Sequence, residues 1–234
     1  MNEYKNDEGF YSLDIMDFPP KVVASVTTKD DAREAVALGA DIVEVRVDLV
    51  GSDGVALVEG IYYDLGCPLI VTIRPPFEGG KFAGSDAERV RLFKELAPYA
   101  DFIDVELRAE NLDELIATIQ GTDAVPIVSY HDFDRTPSNE EMLSIINRSV
   151  EKGAIAKLAV TPKDMTDVLR LLEVTLVSKR PVCTISMGSI GQHSRLVAPV
   201  YGSLLTYGYV RRPVAPGQIR VDQLLEGLRI LGLR

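Results

Sequence analysis

Eight short apolar runs rich in valine and isoleucine, separated by segments of helical periodicity, constrain this fold more than any other feature. The runs span residues 21–27, 41–49, 68–74, 101–107, 125–133, 154–161, 181–188 and roughly 207–212. Strands that alternate strictly with helices form a parallel sheet. Eight such units in 234 residues predict a single α/β domain, a closed (β/α)8 barrel, for which about 250 residues are typical. We place the barrel at residues 21–234, after a short N-terminal extension of residues 1–20.

Local signals predict where several helices begin and end. A Ser or Thr followed three residues later by an acid predicts a capping box at Thr28–Asp31, Ser85–Glu88, Ser138–Glu141 and Thr161–Asp164. Left-handed C-caps are expected at Gly39 and Gly153. A doubly wound open sheet is the alternative fold, but the turn after the first strand, residues 27–30, lacks the glycines that such folds often carry there.

Charge and composition narrow the classes of partner. The formal net charge is −10, which disfavours nucleic acids and anionic membranes as partners because both would repel the chain. No apolar stretch approaches the ~20 residues that span a bilayer. Residues 1–20 also lack the basic and apolar regions of a secretory signal, so we expect a cytoplasmic protein. Two distant cysteines, Cys67 and Cys183, lie in or next to apolar runs and are expected to be buried free thiols.

Charged residues interrupt the second apolar run with a period of two. Glu44, Arg46 and Asp48 alternate with valines. Because alternate side chains of a strand point to opposite faces, the three charges should face the barrel axis while the valines face the helices. Burying charges is costly unless they pair or bind a ligand. A buried ion-pair layer and a binding site are therefore both open interpretations.

Other polar residues lie late in their runs, where barrel enzymes carry their active sites. They are Arg74, Asp104, Glu106 and His131. Arg74 could instead be a solvated loop residue, and Asp104 and Glu106 could be structural partners of arginines. A single histidine such as His131 is also compatible with a structural role in the interior.

Lys157 stands in the middle of an apolar run. Lysine is almost never fully buried without a partner. A buried amine surrounded by cations loses its proton more easily, and a neutral amine is what Schiff-base chemistry needs. The alternative is a structural ion pair between Lys157 and Glu106.

A Ser- and Gly-containing segment, residues 186–191, has the pattern of an anion-binding strand-to-helix turn. Arg195 follows one turn later and could bind a carboxylate or phosphate. His193 is expected at the surface. The chain has no clustered His or Cys ligands and no nucleotide-binding glycine motif, so neither a metal nor a nucleotide is indicated.

The ordered set of motifs resembles type I 3-dehydroquinate dehydratase, an enzyme family of the shikimate pathway. The motifs are Glu44-Val-Arg-Val-Asp48, Thr72-Ile-Arg74 with Glu78-Gly-Gly80, Ser129-Tyr-His-Asp-Phe133, Lys157-Leu-Ala-Val160, Ser186-Met-Gly188 with Ser194-Arg-Leu196, and Ala215-Pro-Gly-Gln218. The resemblance covers nearly the whole chain from the first strand onward. It implies a (β/α)8 barrel, a homodimer and a reaction without metal or organic cofactor.

The resemblance also implies residue roles. Lys157 would form an imine with the C3 ketone of 3-dehydroquinate. His131 would remove the C2 proton and protonate the departing C1 hydroxyl in a syn elimination that gives 3-dehydroshikimate. Glu78 would orient His131, and Arg195 would bind the substrate carboxylate. Contacts to the rest of the substrate would come from Ser25, Glu44, Arg46, Arg74 and Gln218.

One position departs from the family pattern, and two other functions stay open. Val214 stands where the family often has a substrate-contacting serine, so closure of this loop would depend more on Gln218. An aldolase-like barrel would also use Lys157 as an imine but would bind a phosphorylated sugar. A barrel that binds a ligand without turnover is the third hypothesis.

Overall fold

The structure of the protein is a computed structural model, and it describes residues 19–234. Most of the predicted N-terminal extension therefore lies outside the described residues. The strands are β1 (Lys21–Val26), β2 (Ile42–Arg46), β3 (Leu69–Thr72), β4 (Phe102–Glu106), β5 (Val125–Asp132), β6 (Ile155–Val160), β7 (Val182–Ser186), β8 (Leu205–Tyr209) and β9 (Ile219–Arg220). The longer helices are α1 (Lys29–Leu38), α3 (Gly54–Leu65), α4 (Asp86–Leu96), α5 (Leu112–Gln120), α6 (Asn139–Lys152), α7 (Met165–Ser178) and α10 (Val221–Ile230). Three single-turn helices are α2 (Val47–Val50), α8 (Gly188–Gly191) and α9 (Ser194–Val197).

The sheet is parallel throughout and curls into a barrel. Its strand order is β7-β6-β5-β4-β3-β2-β1-β8-β9. The barrel closes between β7 and β8, where Val182 of β7 forms a parallel bridge with Ser203, just before β8. There the amide of Leu204 donates to the Val182 carbonyl at 2.8 Å. The predicted (β/α)8 barrel is confirmed, with the short β9 added alongside β8.

Local boundaries differ from the prediction in three places. β2 ends at Arg46, and the next residues form helix α2, so Asp48 lies on a helix rather than on the predicted strand. β8 begins and ends earlier than residues 207–212. Helix α7 begins at Met165 with Asp164 as its N-cap, so the box predicted at Thr161 is wrong.

The other predicted helix ends have mixed outcomes. Ser85 and Ser138 form complete capping boxes, whereas the Thr28 side chain accepts only from the amide of Asp31. Gly39 is left-handed with φ of 95°, as predicted. Gly153 is extended instead, and its amide bonds to the Ser149 carbonyl.

The barrel interior changes from apolar to polar along several strands, and this change positions the site. Alternate residues of one face run from Ile42 to Glu44 in β2 and from Phe102 to Asp104 in β4. Buried apolar side chains fill the N-terminal part of the interior: Val23, Ile42, Ile70, Phe102, Val125, Ile127, Ile155, Cys183 and Leu205. The valines of β2 instead join the core under the helices. Because the floor is filled, a cavity can open only at the C-terminal end of the strands.

No helix within residues 19–234 combines the length and apolar character that crossing a membrane requires.

Candidate active site

A cavity of about 610 Å³, including its open mouth, lies at the C-terminal ends of the strands. The nine residues to which the family resemblance assigns roles all line it: Ser25, Glu44, Arg46, Arg74, Glu78, His131, Lys157, Arg195 and Gln218. They come from seven strands or the segments that follow them, so the closed barrel brings together residues up to 193 positions apart. Their individual roles stay predictions.

Lys157 projects from the middle of β6, in register with Ser129 of β5 and Cys183 of β7. Its Nζ lies 2.9 Å from Asp104 Oδ2 and 3.7 Å from Glu44 Oε1. The same atom lies 4.0 Å from the centre of the Tyr207 ring. The partner of Lys157 is therefore Asp104, and the alternative pairing with Glu106 is wrong.

Asp104 is the carboxylate that neutralises this lysine. Burial opposes its ionisation, but the charges of Arg74 and Lys157 outweigh burial and hold the pKa of Asp104 well below its usual range. Arg74 Nη2 lies 2.9 Å from Asp104 Oδ1. Asp104 is thus ionised at neutral pH and forms an ion pair with Lys157.

His131 near the end of β5 is held by a buried carboxylate. Its Nδ1 lies 2.9 Å from Glu78 Oε2. Burial, together with the nearby charges of Arg74 and Lys157, lowers the pKa of His131 well below its usual value. The imidazole is therefore neutral at pH 7 and can act as a base. The exposed Phe133 ring stacks beside it, with centroids 6.3 Å apart.

Glu78 closes the 3₁₀ turn Pro76–Glu78 after β3. Burial raises its pKa to about 7, although Arg74 and a hydrogen bond from Arg108 oppose the shift. The two following glycines are required for different reasons. A Cβ on Gly80 would lie 1.9 Å from the Arg74 carbonyl oxygen, whereas Gly79 has a left-handed backbone with φ of 76°, which residues other than glycine rarely adopt.

A network of buried ion pairs lies next to the residues at the base of the cavity. Glu106 Oε1 lies 2.5 Å from Arg74 Nη1, and Glu106 Oε2 pairs with Arg89 from α4. Arg74 Nη1 also donates to Ser129 Oγ at 2.7 Å. Arg74 is therefore a buried residue of the site and not a solvated loop residue. Asp104 and Glu106 both form ion pairs with arginines, which was one of the interpretations of the sequence.

Glu44 and Arg46 are held by different partners. Glu44 accepts from Ser25 Oγ at 2.6 Å and from Thr72 Oγ1 at 2.9 Å. Arg46 donates to both oxygens of Asp48, at 2.9 and 2.8 Å. The Glu44-Arg46-Asp48 alternation therefore contains both an ion pair and residues that line a cavity.

Arg195 on α9 is a buried cation with no carboxylate partner among the described residues. Its guanidinium donates to the carbonyls of Gly217, Tyr207 and Pro216 at 2.8–3.1 Å. Burial lowers its pKa to about 10, so it stays charged at neutral pH. An uncompensated buried charge is costly unless an anion binds to it.

Gln218 fastens the loop that follows β8. Its Oε1 accepts from the amides of Val214 and Ala215 at 2.7 and 3.2 Å, and its Nε2 lies 3.3 Å from Ser25 Oγ. The loop is therefore tied to β1 as well as to Arg195. His193 lies at the surface, as predicted.

Three contacts of the site were not expected from the sequence. Arg108 donates to Glu78, Tyr207 lies under Lys157, and Arg89 holds Glu106. Arg108 shares the even-numbered parity of Asp104 and Glu106, and this pattern could have identified it as a site residue. No pattern in the sequence identifies Arg89, because its helix has the pattern of an ordinary amphipathic segment.

The site joins an amine, a neutral base and an unpaired guanidinium. Such a set can form an imine with a carbonyl compound, move a proton and bind an anionic group. Within residues 19–234 no group of three or more His, Cys, Asp or Glu side chains is placed to hold a metal ion.

Comparisons with known proteins agree on one family. The sequence model of the family described as "Type I 3-dehydroquinase" matches residues 22–234. The chain is 87% identical to the 3-dehydroquinate dehydratase of Methanocella arvoryzae over 219 residues, which are 94% of this chain and all of that protein. It is 42% identical to the 3-dehydroquinate dehydratase of Methanothrix thermoacetophila, covering 92% of this chain and 93% of the relative.

Solved structures give the same result. The 3-dehydroquinate dehydratase of Geobacillus kaustophilus superposes with a TM-score of 0.85 at 30% identity, covering 91% of both chains. The type I 3-dehydroquinate dehydratase of Clostridium difficile, solved with covalently modified comenic acid, gives 0.82 at 33% identity over 92% of this chain and 93% of the other. These matches favour the dehydratase over the aldolase-like and non-catalytic hypotheses. The chain belongs to the type I 3-dehydroquinase family of dehydratases.

Proposed function

We propose that this cavity catalyses the syn elimination of water from 3-dehydroquinate, through an imine on Lys157, to give 3-dehydroshikimate. The observation that carries the proposal is the convergence of Lys157, His131 and Arg195 on one cavity. Their chemistry matches the ketone, the acidic C2 proton and the carboxylate of the substrate.

The reaction begins with loss of a proton from the Lys157 ammonium, which Asp104 holds at 2.9 Å. Neutral His131, on the adjacent strand, is the base that can accept it. The free amine adds to the C3 carbonyl, and the protonated His131 returns its proton to the resulting C3 hydroxyl, which leaves as water. This step gives the protonated imine and leaves His131 neutral again. The positive imine nitrogen then stabilises the electron pair that is released when the C2 proton is removed.

His131 takes the C2 proton and returns a proton to the C1 hydroxyl, which departs as water. The electron pair of the enamine forms the new C1–C2 double bond and restores the imine. Hydrolysis of the imine releases 3-dehydroshikimate and regenerates Lys157. Glu78 holds Nδ1 of the ring at 2.9 Å, so the other nitrogen, Nε2, can serve both proton transfers.

The remaining lining residues suit the polar groups of the substrate. Arg195 supplies a charge for the carboxylate, since no carboxylate of residues 19–234 pairs with it. Glu44, Arg46, Arg74 and Ser25 border the same space and offer hydrogen bonds to hydroxyls. Gln218 would exchange its bonds to the 214–215 amides for contacts with the substrate as the loop adjusts.

Borohydride trapping with 3-dehydroquinate tests the nucleophile. We expect a reduced adduct on the peptide that carries Lys157, detected by mass spectrometry, and neither adduct nor turnover in Lys157→Ala. The Clostridium difficile relative was solved with covalently modified comenic acid, which supports a covalent step. Lys152→Ala, which removes an exposed lysine paired with Asp113, is the matched control and should retain both.

His131→Ala separates imine formation from elimination. Slow trapping should persist while the enone absorbance of the product fails to develop. Near-normal elimination in this variant would remove His131 from the mechanism. An adduct with a sugar phosphate, and none with 3-dehydroquinate, would instead favour the aldolase-like reaction.

We also propose a place and an assembly for the enzyme. The reaction belongs to the shikimate pathway, which leads through chorismate to the aromatic amino acids, and we expect it in the cytoplasm. The chain is proposed to act as a homodimer. The exposed apolar side chains Met165, Leu169, Leu176 and Val177 on α7 support association of the chain, and light scattering during size-exclusion chromatography tests it.

A further inference from the structure

Arg108 contacts the catalytic pair of the proposed mechanism from outside the cavity. It follows β4 and has the same parity as Asp104 and Glu106. Its Nε donates to Glu78 Oε1 at 2.8 Å, and its Nη2 donates to the main-chain carbonyl of His131 at 2.8 Å. One guanidinium therefore joins the segment that carries the carboxylate to the strand that carries the base.

The guanidinium has a defined position although its side chain is 42% exposed. It lies over the Tyr130 ring, with its central carbon 4.5 Å from the ring centre. A cation stacked on an aromatic face and bonded twice has little freedom to turn away. Arg108 is not among the residues that line the cavity.

We propose that Arg108 is a positioning residue that keeps the Glu78 carboxylate ionised and bonded to Nδ1 of His131, so that Nε2 is the unprotonated nitrogen available for proton transfer. The proposal rests on the proposed function, in which His131 is the base. It assigns Arg108 to the orientation and protonation of the base and not to binding of the substrate.

The two carboxylate oxygens of Glu78 have different partners. Oε2 faces Nδ1 of His131, and Oε1 faces Arg108. An ionised carboxylate can only accept, so Nδ1 must carry the ring proton and Nε2 must be free. A protonated carboxyl can donate to Nδ1 instead, which would move the ring proton to Nε2 and remove the base.

Glu78 titrates close to neutral pH, so a small rise in its pKa is enough to move the ring proton of His131. Burial raises its pKa to about 7; Arg74 and Arg108 act in the opposite direction, and Glu106 adds to the rise. His131, the remaining titratable neighbour, is kept neutral by burial, by Arg74 and Lys157, and less strongly by Arg46, against the charge of Asp104. Loss of Arg108 therefore raises the pKa of Glu78 further, and the neutral carboxyl becomes dominant at neutral pH.

Arg108→Ala should move the acidic limb of the kcat profile upward by about one pH unit, since a charge-assisted hydrogen bond is worth roughly that much. A limb that moves from about pH 7 to about pH 8 lowers kcat about tenfold at pH 6 and hardly at all at pH 9. KM should change little. Arg108→Lys keeps a positive charge beside Glu78 and should return the limb toward its original position.

The state of His131 can be read without any assay of turnover. The chain contains two histidines, so the spectrum of protein with isotope-labelled histidine shows two rings, and His193→Gln assigns them. In the parent protein at pH 8, where Glu78 is mostly ionised, we expect the proton of His131 on Nδ1. In Arg108→Ala the population should move toward protonated Nε2, and raising the pH should restore it.

The two readouts separate failure of this inference from failure of the proposed function. If the His131 tautomer changes but the kcat profile does not, Arg108 positions the ring and His131 is not the base. An unchanged tautomer together with an unshifted pH profile overturns the inference, even if kcat falls. Arg91→Ala, which removes an arginine 71% exposed on α4, is the control and should move neither.

Discussion

Glu106→Gln is the substitution that tests the ion network under the cavity most directly. The side chain has no solvent exposure and makes two ion pairs, to Arg74 and to Arg89. Three cations and three carboxylates share this region, and each side chain is at most 5% exposed: Arg74, Arg89, Lys157, Glu44, Asp104 and Glu106. The charges balance, so the amide leaves one positive charge in excess.

The expected loss of stability is large. Removing one member of a buried ion pair costs about 3–5 kcal/mol, because the partner remains buried without compensation. Arg89 keeps its bond to the Ile73 carbonyl, and Arg74 keeps Asp104 and Ser129. We therefore expect about 3 kcal/mol, near the lower end of that range. In a chain of this size such a loss lowers Tm by roughly 6–12 °C.

Urea denaturation followed by circular dichroism measures the loss, with Asp113→Asn as the matched control. Asp113 pairs with Lys152 at 2.6 Å, close to the 2.5 Å of Glu106 and Arg74, but its side chain is 83% exposed. An exposed pair contributes only about 0–1 kcal/mol. Adding Arg89→Met to Glu106→Gln restores the charge balance and should recover part of the loss. Equal effects of Glu106→Gln and Asp113→Asn would refute the reasoning.

The remaining predictions concern a thiol and a glycine. Cys183 is fully buried, and burial raises its pKa to about 12, so a thiol reagent at pH 8 should modify it only as the protein unfolds, whereas the partly exposed Cys67 should react in the native state. Rapid labelling of both thiols in the folded protein would contradict this. Gly80→Ala should abolish activity because its Cβ would lie 1.9 Å from the Arg74 carbonyl oxygen, while Gly121→Ala, with 3.5 Å to its nearest neighbour, should fold and turn over normally. Comparable activity of the two alanine variants would show that the tight approach at Gly80 is unimportant.

The sequence was sufficient to predict the barrel because the pattern of its strands is local. Glu44 and Arg46 alternate with valines, and this period of two determines which side chains face the axis regardless of the rest of the chain. The end of β2 was missed for the same reason. The residues after Arg46 continue the alternation, but the chain turns there into α2, where Asp48 bonds to Arg46 and to the amide of Lys81.

The pairing inside the site could not be predicted from the sequence. Asp104 and Glu106 share one parity on β4, so both were candidates for Lys157. The strand register places Glu106 level with Lys157, because both pair with Ser129 of β5. Glu106 is instead bound by Arg74 and Arg89, and the amine contacts Asp104. The pairing of Arg89 with Glu106 could not be predicted either, because the position of Arg89 on a helix does not show that a buried carboxylate lies next to it.

The hydrogen bond between Gln218 and Ser25 joins positions 193 residues apart, and it has a consequence for biosynthesis. A ribosome that adds about 5–20 residues per second needs roughly 10–40 s to pass from one position to the other. Until then the nascent chain has β1 without its neighbour β8, and Arg195 lacks the carbonyls of residues 216 and 217. Catalytic competence is therefore acquired late in translation, and during those seconds the polar interior stays open to water and to chaperones.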